Sequence, residues 1–173
     1  VKLPVSTEWL LHCATSLAQL EPGATASAAQ LADYYDLPAP YLAKQLQSLV
    51  KAGVLSATTG PRGGFRLARE PAQITLLQIV EAVDGASAPY ECREIRRQGR
   101  GALPAEECRQ ACVLAVKMAE AHRAWRGSLA GVSLAEVLAD LPPWAPARTR
   151  SLLTGSKDAP ETRPRGQGGD VLR

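Results

Sequence analysis

The residues best placed to do chemistry are three cysteines, Cys92, Cys108 and Cys112, spaced C-x15-C-x3-C. Thiolates gathered on a loop and at a helix start suit zinc or an iron–sulfur cluster. No C-x2-C pair is present, so three buried or reactive thiols are the competing reading of the spacing. Three thiolates also leave a tetrahedral centre one donor short. Glu8 and His12 stand at i and i+4 on one helical face, where carboxylate and imidazole are competent metal ligands. The plainer roles are that Glu8 complements the helix dipole and His12 faces solvent. Trp9, between them, is either a core residue or a group that couples a redox change to packing. Cys13 lies a quarter turn away among apolar neighbours and reads as core.

These groups need a scaffold, and the periodicity is mostly helical. Ala and Leu, both strong helix formers, dominate the composition. A first helix is predicted from Ser6 to Leu20, capped by Ser6 or Thr7, with Trp9, Cys13, Leu17 and Leu20 near one face. Ser27 caps a second, Ala28 to Tyr35. After the tight Asp36-Leu37-Pro38-Ala39 connection, Pro40 suits the first turn of a third, Tyr41 to Ala52, stopped by Gly53. Val54 to Thr58 and Phe65 to Leu67 read as paired strands around the glycine-rich loop Thr59–Gly64. Thr75 caps a helix from Leu76 to Val83. The periodicity then fades from Ala86 to Pro104, which predicts an irregular loop. A long helix is expected from Ala105 to Ser128, which would put Cys108 and Cys112 one turn apart on one face. Ser133 caps a last short helix, Leu134 to Leu141. The Gly-, Pro- and charge-rich end is expected to be disordered.

Two short helices joined by a tight turn, then strand, glycine loop and strand, is the order of a winged helix-turn-helix. The second helix of that unit can enter the major groove. Its outer face offers Tyr41, Lys44, Gln45, Gln47, Ser48 and Lys51, of which Gln can read adenine and Lys can meet guanine or phosphate. The wing adds Arg62, Gly63 and Arg66. Between Leu37 and Arg69 there is no acidic residue, against five basic ones: Lys44, Lys51, Arg62, Arg66 and Arg69. Phosphate binding calls for such an asymmetry, although a basic run by itself is usually a solvated face.

Other classes are disfavoured. Only His12 and His122 are histidines, and neither a nucleophile–base motif nor a phosphate-binding glycine motif after a strand is present. No apolar run approaches the ~20 residues of a membrane span, and the start lacks a signal-peptide layout. The expectation is a cytoplasmic protein, in which disulfides would be rare.

The chain resembles the iron–sulfur-cluster transcription regulators that include IscR, NsrR and RirA. The likeness covers about Lys2 to Leu141. It is carried by Tyr41-Leu42-Ala43-Lys44-Gln45-Leu46, by Gly60-Pro61-Arg62-Gly63-Gly64-Phe65-Arg66-Leu67, and by the run from Ile74 to Gly85. Within that family it looks most like the RsrR-like redox-sensing branch, through Glu8-Trp9-x-x-His12 and the wide cysteine spacing. The family's more usual spacing is closer. The resemblance implies a homodimer built through the long helix. It also implies a 2Fe–2S cluster held by Cys92 and Cys112 of one subunit with Glu8 and His12 of the other, Cys108 being the competing ligand.

The expected protein is therefore mainly α. Residues 1–85 form a winged helix-turn-helix that binds double-stranded operator DNA. Residues 86–145 carry the cysteine loop and dimerisation helix, and residues 146–173 a flexible tail. Its expected role is a redox-sensing transcription regulator, read as a repressor. Zinc on Cys92, Cys108, Cys112 and His12, or thiols that sense oxidants by forming disulfides, are the alternatives without an iron–sulfur cluster.

Overall fold

The computed structural model describes residues 2–60 and 63–155. Its elements run α1 (Val5–Ala18), α2 (Ala28–Tyr35), α3 (Ala39–Lys51), β1 (Leu55–Thr58), β2 (Gly64–Leu67), α4 (Leu76–Asp84), α5 (Val113–Ala130), α6 (Leu134–Ala139) and α7 (Ala145–Thr154). Short 3-10 turns lie at Pro71–Gln73 and Ile95–Arg97.

Local chemistry sets most boundaries. Ser27 with Gln30, Thr75 with Gln78, and Ser133 with Glu136 form reciprocal capping boxes at the starts of α2, α4 and α6, each satisfying two otherwise orphaned amides. α1 departs from expectation: it opens at Pro4, and Ser6 and Thr7 are buried inside its first turn rather than capping it. Proline, which has no N–H to lose, suits a helix start. Asp36 ends α2 in the left-handed region, with φ 54°, a conformation that Asp tolerates better than most residues. The Leu37 amide then donates to the Ala32 carbonyl at 2.8 Å, which closes the turn between α2 and α3.

β1 and β2 pair antiparallel, Leu55 opposite Leu67 and Thr58 opposite Gly64. The wing is tied to the helices through Ala26, whose carbonyl accepts from the Phe65 amide at 2.8 Å. A Cβ on Gly64 would lie 2.7 Å from that carbonyl, so only glycine allows this approach. Leu10, Leu31, Leu42, Leu46, Leu49, Ile74 and Ile79 are fully buried and join α1–α4 in one core, which Leu134 and Leu153 enter from α6 and α7.

Two expectations need correction. The long helix begins at Val113, not Ala105. Residues 104–109 make isolated turns instead, with Glu107, Cys108 and Arg109 amides bonded three residues back. Pro-Ala-Glu-Glu has helix-forming residues but no apolar face to dock, and tertiary packing outweighs propensity. Residues 146–154, expected within the flexible tail, lie in α7, and the tail boundary moves accordingly. The tail beyond, from Ser156, lies outside the described residues.

Candidate nucleic-acid interface and cofactor site

The outer face of α3 carries Tyr41, Lys44, Gln47 and Lys51 exposed, with Gln45 and Ser48 half-buried. The Ser48 hydroxyl is committed to the Gln45 carbonyl at 2.7 Å, which leaves its donor spent within the helix. Arg66 stands exposed on β2, its Nε donating to Ser56 Oγ at 3.3 Å. Gly63 lies in the wing loop, its amide donating to the Gly60 carbonyl at 2.9 Å, and Arg62 lies outside the described residues. Arg69, counted among the basic residues, has a different task. Its guanidinium donates to the Gly53 and Gln73 carbonyls and to Gln78 Oε1, so it fastens the wing to the start of α4.

Glu8 and His12 are both exposed on α1. They line a cleft of about 300 Å³ with Trp9, Tyr35 and Leu37. Trp9 packs edge-on against Tyr41 of α3, ring centres 5.6 Å apart. Tyr35, which sequence reasoning did not single out, holds the other side of this cleft. Its hydroxyl donates to the His12 carbonyl at 3.2 Å and lies 2.6 Å from Ser16 Oγ. With its one proton so used, Tyr35 accepts from Ser16. Burial pushes the Tyr35 phenol up to about 12, against the Ser16 hydrogen bond. Cys13 is fully buried beneath α1, as a core residue should be, and burial pushes its thiol up to about 12.

The structure places Cys92 and Cys112 near each other, with Tyr90 beside both. Cys112 is the N-cap of α5. The Ala115 and Leu114 amides at the helix start point to its sulfur and hold the thiol below its ordinary range, aided by Arg96 and Cys92 and opposed by burial. A helix N-terminus favours a thiolate in this way. Cys108 sits in the turns before α5, not on a helical face shared with Cys112, though Arg96 lies close to both. All four cysteines are free thiols. Among the described residues of one chain, no three His, Cys, Asp or Glu side chains gather closely enough to hold a metal. The pair on α1 and the pair at α5 are thus separate half-sets.

α5 leaves its surface open. None of its residues is buried, and Val113, Leu114, Val116 and Met118 are exposed apolar side chains. Its C-terminal half is tied to α4 by the Arg126–Glu81 ion pair.

Residues 3–140 match the family model described as Rrf2, iron-dependent transcriptional regulator. The chain belongs to the Rrf2 family. An HTH-type transcriptional regulator of Synechocystis, slr0846, is 34% identical over 90 residues, 52% of this chain and 61% of that protein. The chain spans about half to three fifths of the length of the first curated relatives it matches. Among solved structures, CymR (YrzC), the global cysteine regulator of B. subtilis, superposes with a TM-score of 0.63 at 22% identity, covering 82% of this chain and 99% of that one. IscR of T. potens gives 0.61 at 22% identity, over 81% and 88%. These Rrf2 likenesses establish the winged-helix fold. The family is one of regulators, not enzymes, and no helix among the described residues is long and apolar enough to cross a membrane.

Proposed function

We propose that this Rrf2 protein is a cytoplasmic, homodimeric repressor that binds double-stranded operator DNA and senses redox state through a 2Fe–2S cluster shared between subunits. The observation that carries the cofactor reading is the division of donors. Cys92 and Cys112 lie side by side at the start of α5, whereas Glu8 and His12 stand exposed on α1 with no third donor gathered beside them among the described residues. A second copy, joined through the open face of α5, completes a set of two thiolates, one carboxylate and one imidazole. The donor types fit such a cluster, and fewer thiolates than four favour a raised potential. When bound, the cluster supplies a reversible one-electron change.

The chain's own residues then do the following. Cys112 presents a thiolate aimed by the α5 amides. His12 and Glu8 hold the partner's side of the site, steadied by the Tyr35 hydroxyl behind the His12 carbonyl. Trp9 lies between these two ligands in sequence and touches Tyr41 of the recognition helix. It transmits a shift of α1 to α3. Lys44, Gln45, Gln47 and Lys51 with Tyr41, and Gly63, Arg62 and Arg66 of the wing, contact the operator. Ser48 is the weakest member of that set, because its hydroxyl is already bonded. A change in the relative setting of paired recognition helices detunes half-site spacing.

The proximity of Cys92 to Cys112 also favours a second reading, a thiol-based regulator without a cluster. Absorption and EPR spectra of protein purified without oxygen, before and after dithionite, distinguish the two. Visible bands that bleach, a paramagnetic signal on reduction, and DNA affinity that follows cluster state in a mobility-shift titration support the cluster. Colourless protein carrying zinc or no metal, or equal affinity in oxidised, reduced and apo forms, removes it.

A further inference from the structure

We infer that Arg96 is the positioning residue of the cysteine loop: its guanidinium holds the chain around Cys92 and the chain before Cys112 together as one two-thiolate half-site. Its functional meaning rests on the ligand reading above.

From Asp84 to Val132 no described residue is buried, so no apolar core fixes the separation of the two cysteines. Between them lie the 3-10 turn Ile95–Arg97 and isolated turns at 104–109. Ordering such a segment is costly in conformational entropy, and polar contacts must offset that cost. Arg96 supplies them on both sides. Its Nε and Nη2 donate to the two Glu94 carboxylate oxygens at 2.5 and 2.9 Å, and Nη2 also donates to the Gln110 carbonyl at 3.0 Å. Glu94 stands two residues after Cys92 and Gln110 two residues before Cys112, so one side chain fastens both thiol-bearing ends. Its backbone contributes as well, accepting from the Leu103 amide at 2.8 Å.

The backbone of Glu94 gives an independent indication. Its φ is 53°, left-handed and unfavourable for a residue with a Cβ. Such conformations persist where surrounding contacts over-determine them, and they cluster at functional sites. Here the carboxylate is gripped by the guanidinium fork while the Glu94 carbonyl accepts from the Arg97 amide at 3.1 Å. A planar fork can serve a carboxylate and a carbonyl together, which a lysine ammonium does less well.

The test uses the whole chain as apo protein in a Cys108→Ser background, as wild type at position 96, Arg96→Ala and Arg96→Lys. Hydrogen exchange reads loop order, and a Cd²⁺ titration followed by thiolate–metal absorption reads the pairing of Cys92 with Cys112. In Arg96→Ala, exchange across 92–112 should rise by about tenfold or more, the scale of a lost local protection, while α1–α4 stay protected. Cd²⁺ affinity should fall by about tenfold, equivalent to about 1.4 kcal/mol, with partial rescue by Arg96→Lys. Unchanged exchange, or faster exchange with unchanged Cd²⁺ affinity, overturns the proposal. Iron content of the protein purified without oxygen is read separately. A wild type without iron whose Arg96→Ala variant still loses Cd²⁺ pairing refutes the cluster and leaves Arg96 as the positioning residue. A wild type with iron and an indifferent Arg96→Ala does the reverse.

Discussion

The cysteines show how one side chain takes on opposite characters from its surroundings. Cys13, sealed under α1, is pushed from 9.0 to about 12 by burial alone. Cys112, at the start of α5, is drawn the other way by backbone amides. In apo protein at neutral pH, iodoacetamide should therefore label Cys112 quickly and leave Cys13 intact, as peptide mass spectrometry would show. Cys13 also has a consequence for stability. Its folded value exceeds its unfolded one, so its contribution is complete below about 9 and is lost as pH rises toward about 12. Thermal melts should decline over that alkaline window, and Cys13→Ala should flatten the decline. An unchanged slope would show that Cys13 does not govern it, leaving Tyr35 as the other buried group pushed upward.

At the scale of elements, α5 and the wing illustrate two ways to fix geometry. The wing is set by backbone proximity: Gly64 must pass against Ala26. α5 is set by what it has not yet buried. Leu114, Met118, Ala121 and Trp125 follow one another at steps of four, three and four, the seam of a helix that packs along a second helix. Leu114 is 67% exposed and Met118 42%, a large apolar area for an isolated chain to leave in water. Leu114→Arg or Met118→Arg should convert a dimer to a monomer in sedimentation velocity, with the helical content retained. A dimer that survives both substitutions would move the interface off α5.

Across the whole molecule, α7 extends the helical core past residue 140, where the match to the Rrf2 model stops. It lies on α2, where Gln30 Nε2 donates to the Leu153 carbonyl at 2.9 Å and the Tyr34 and Thr149 hydroxyls meet at 3.3 Å. Arg150 reaches the Gln19 carbonyl and Glu21 at 3.2 Å each. Leu153 is only 2% exposed. Leu153→Ala should cost about 2–4 kcal/mol by loss of transfer energy and creation of a cavity, measurable as a lower urea midpoint. A change within a few tenths of a kcal/mol, of the size expected at a surface, would mean that α7 is not part of the folded core.

The sequence by itself determined the elements whose signals are local. Ser27, Thr75 and Ser133 announced three helix starts because a cap and its partner lie three residues apart. The Leu stripe of α3 and the glycine wing were equally legible, since periodicity and turn chemistry need no distant partner. The resemblance pointed to Cys92 and Cys112 as ligands and kept Cys108 as their competitor. The tertiary structure decided what depends on residues far apart in the chain. It showed that Ala105 to Cys112 is not helix, because those residues have no face to dock. It gave α7 a place on α2, which no pattern within residues 145–154 specified. It committed the exposed Arg69 guanidinium to three acceptors of the fold, where charge counting had placed it on the basic face. It brought Arg96 between Glu94 and Gln110 and set Tyr35 behind His12, since hydrogen-bond geometry exists only once the backbone has assembled both partners.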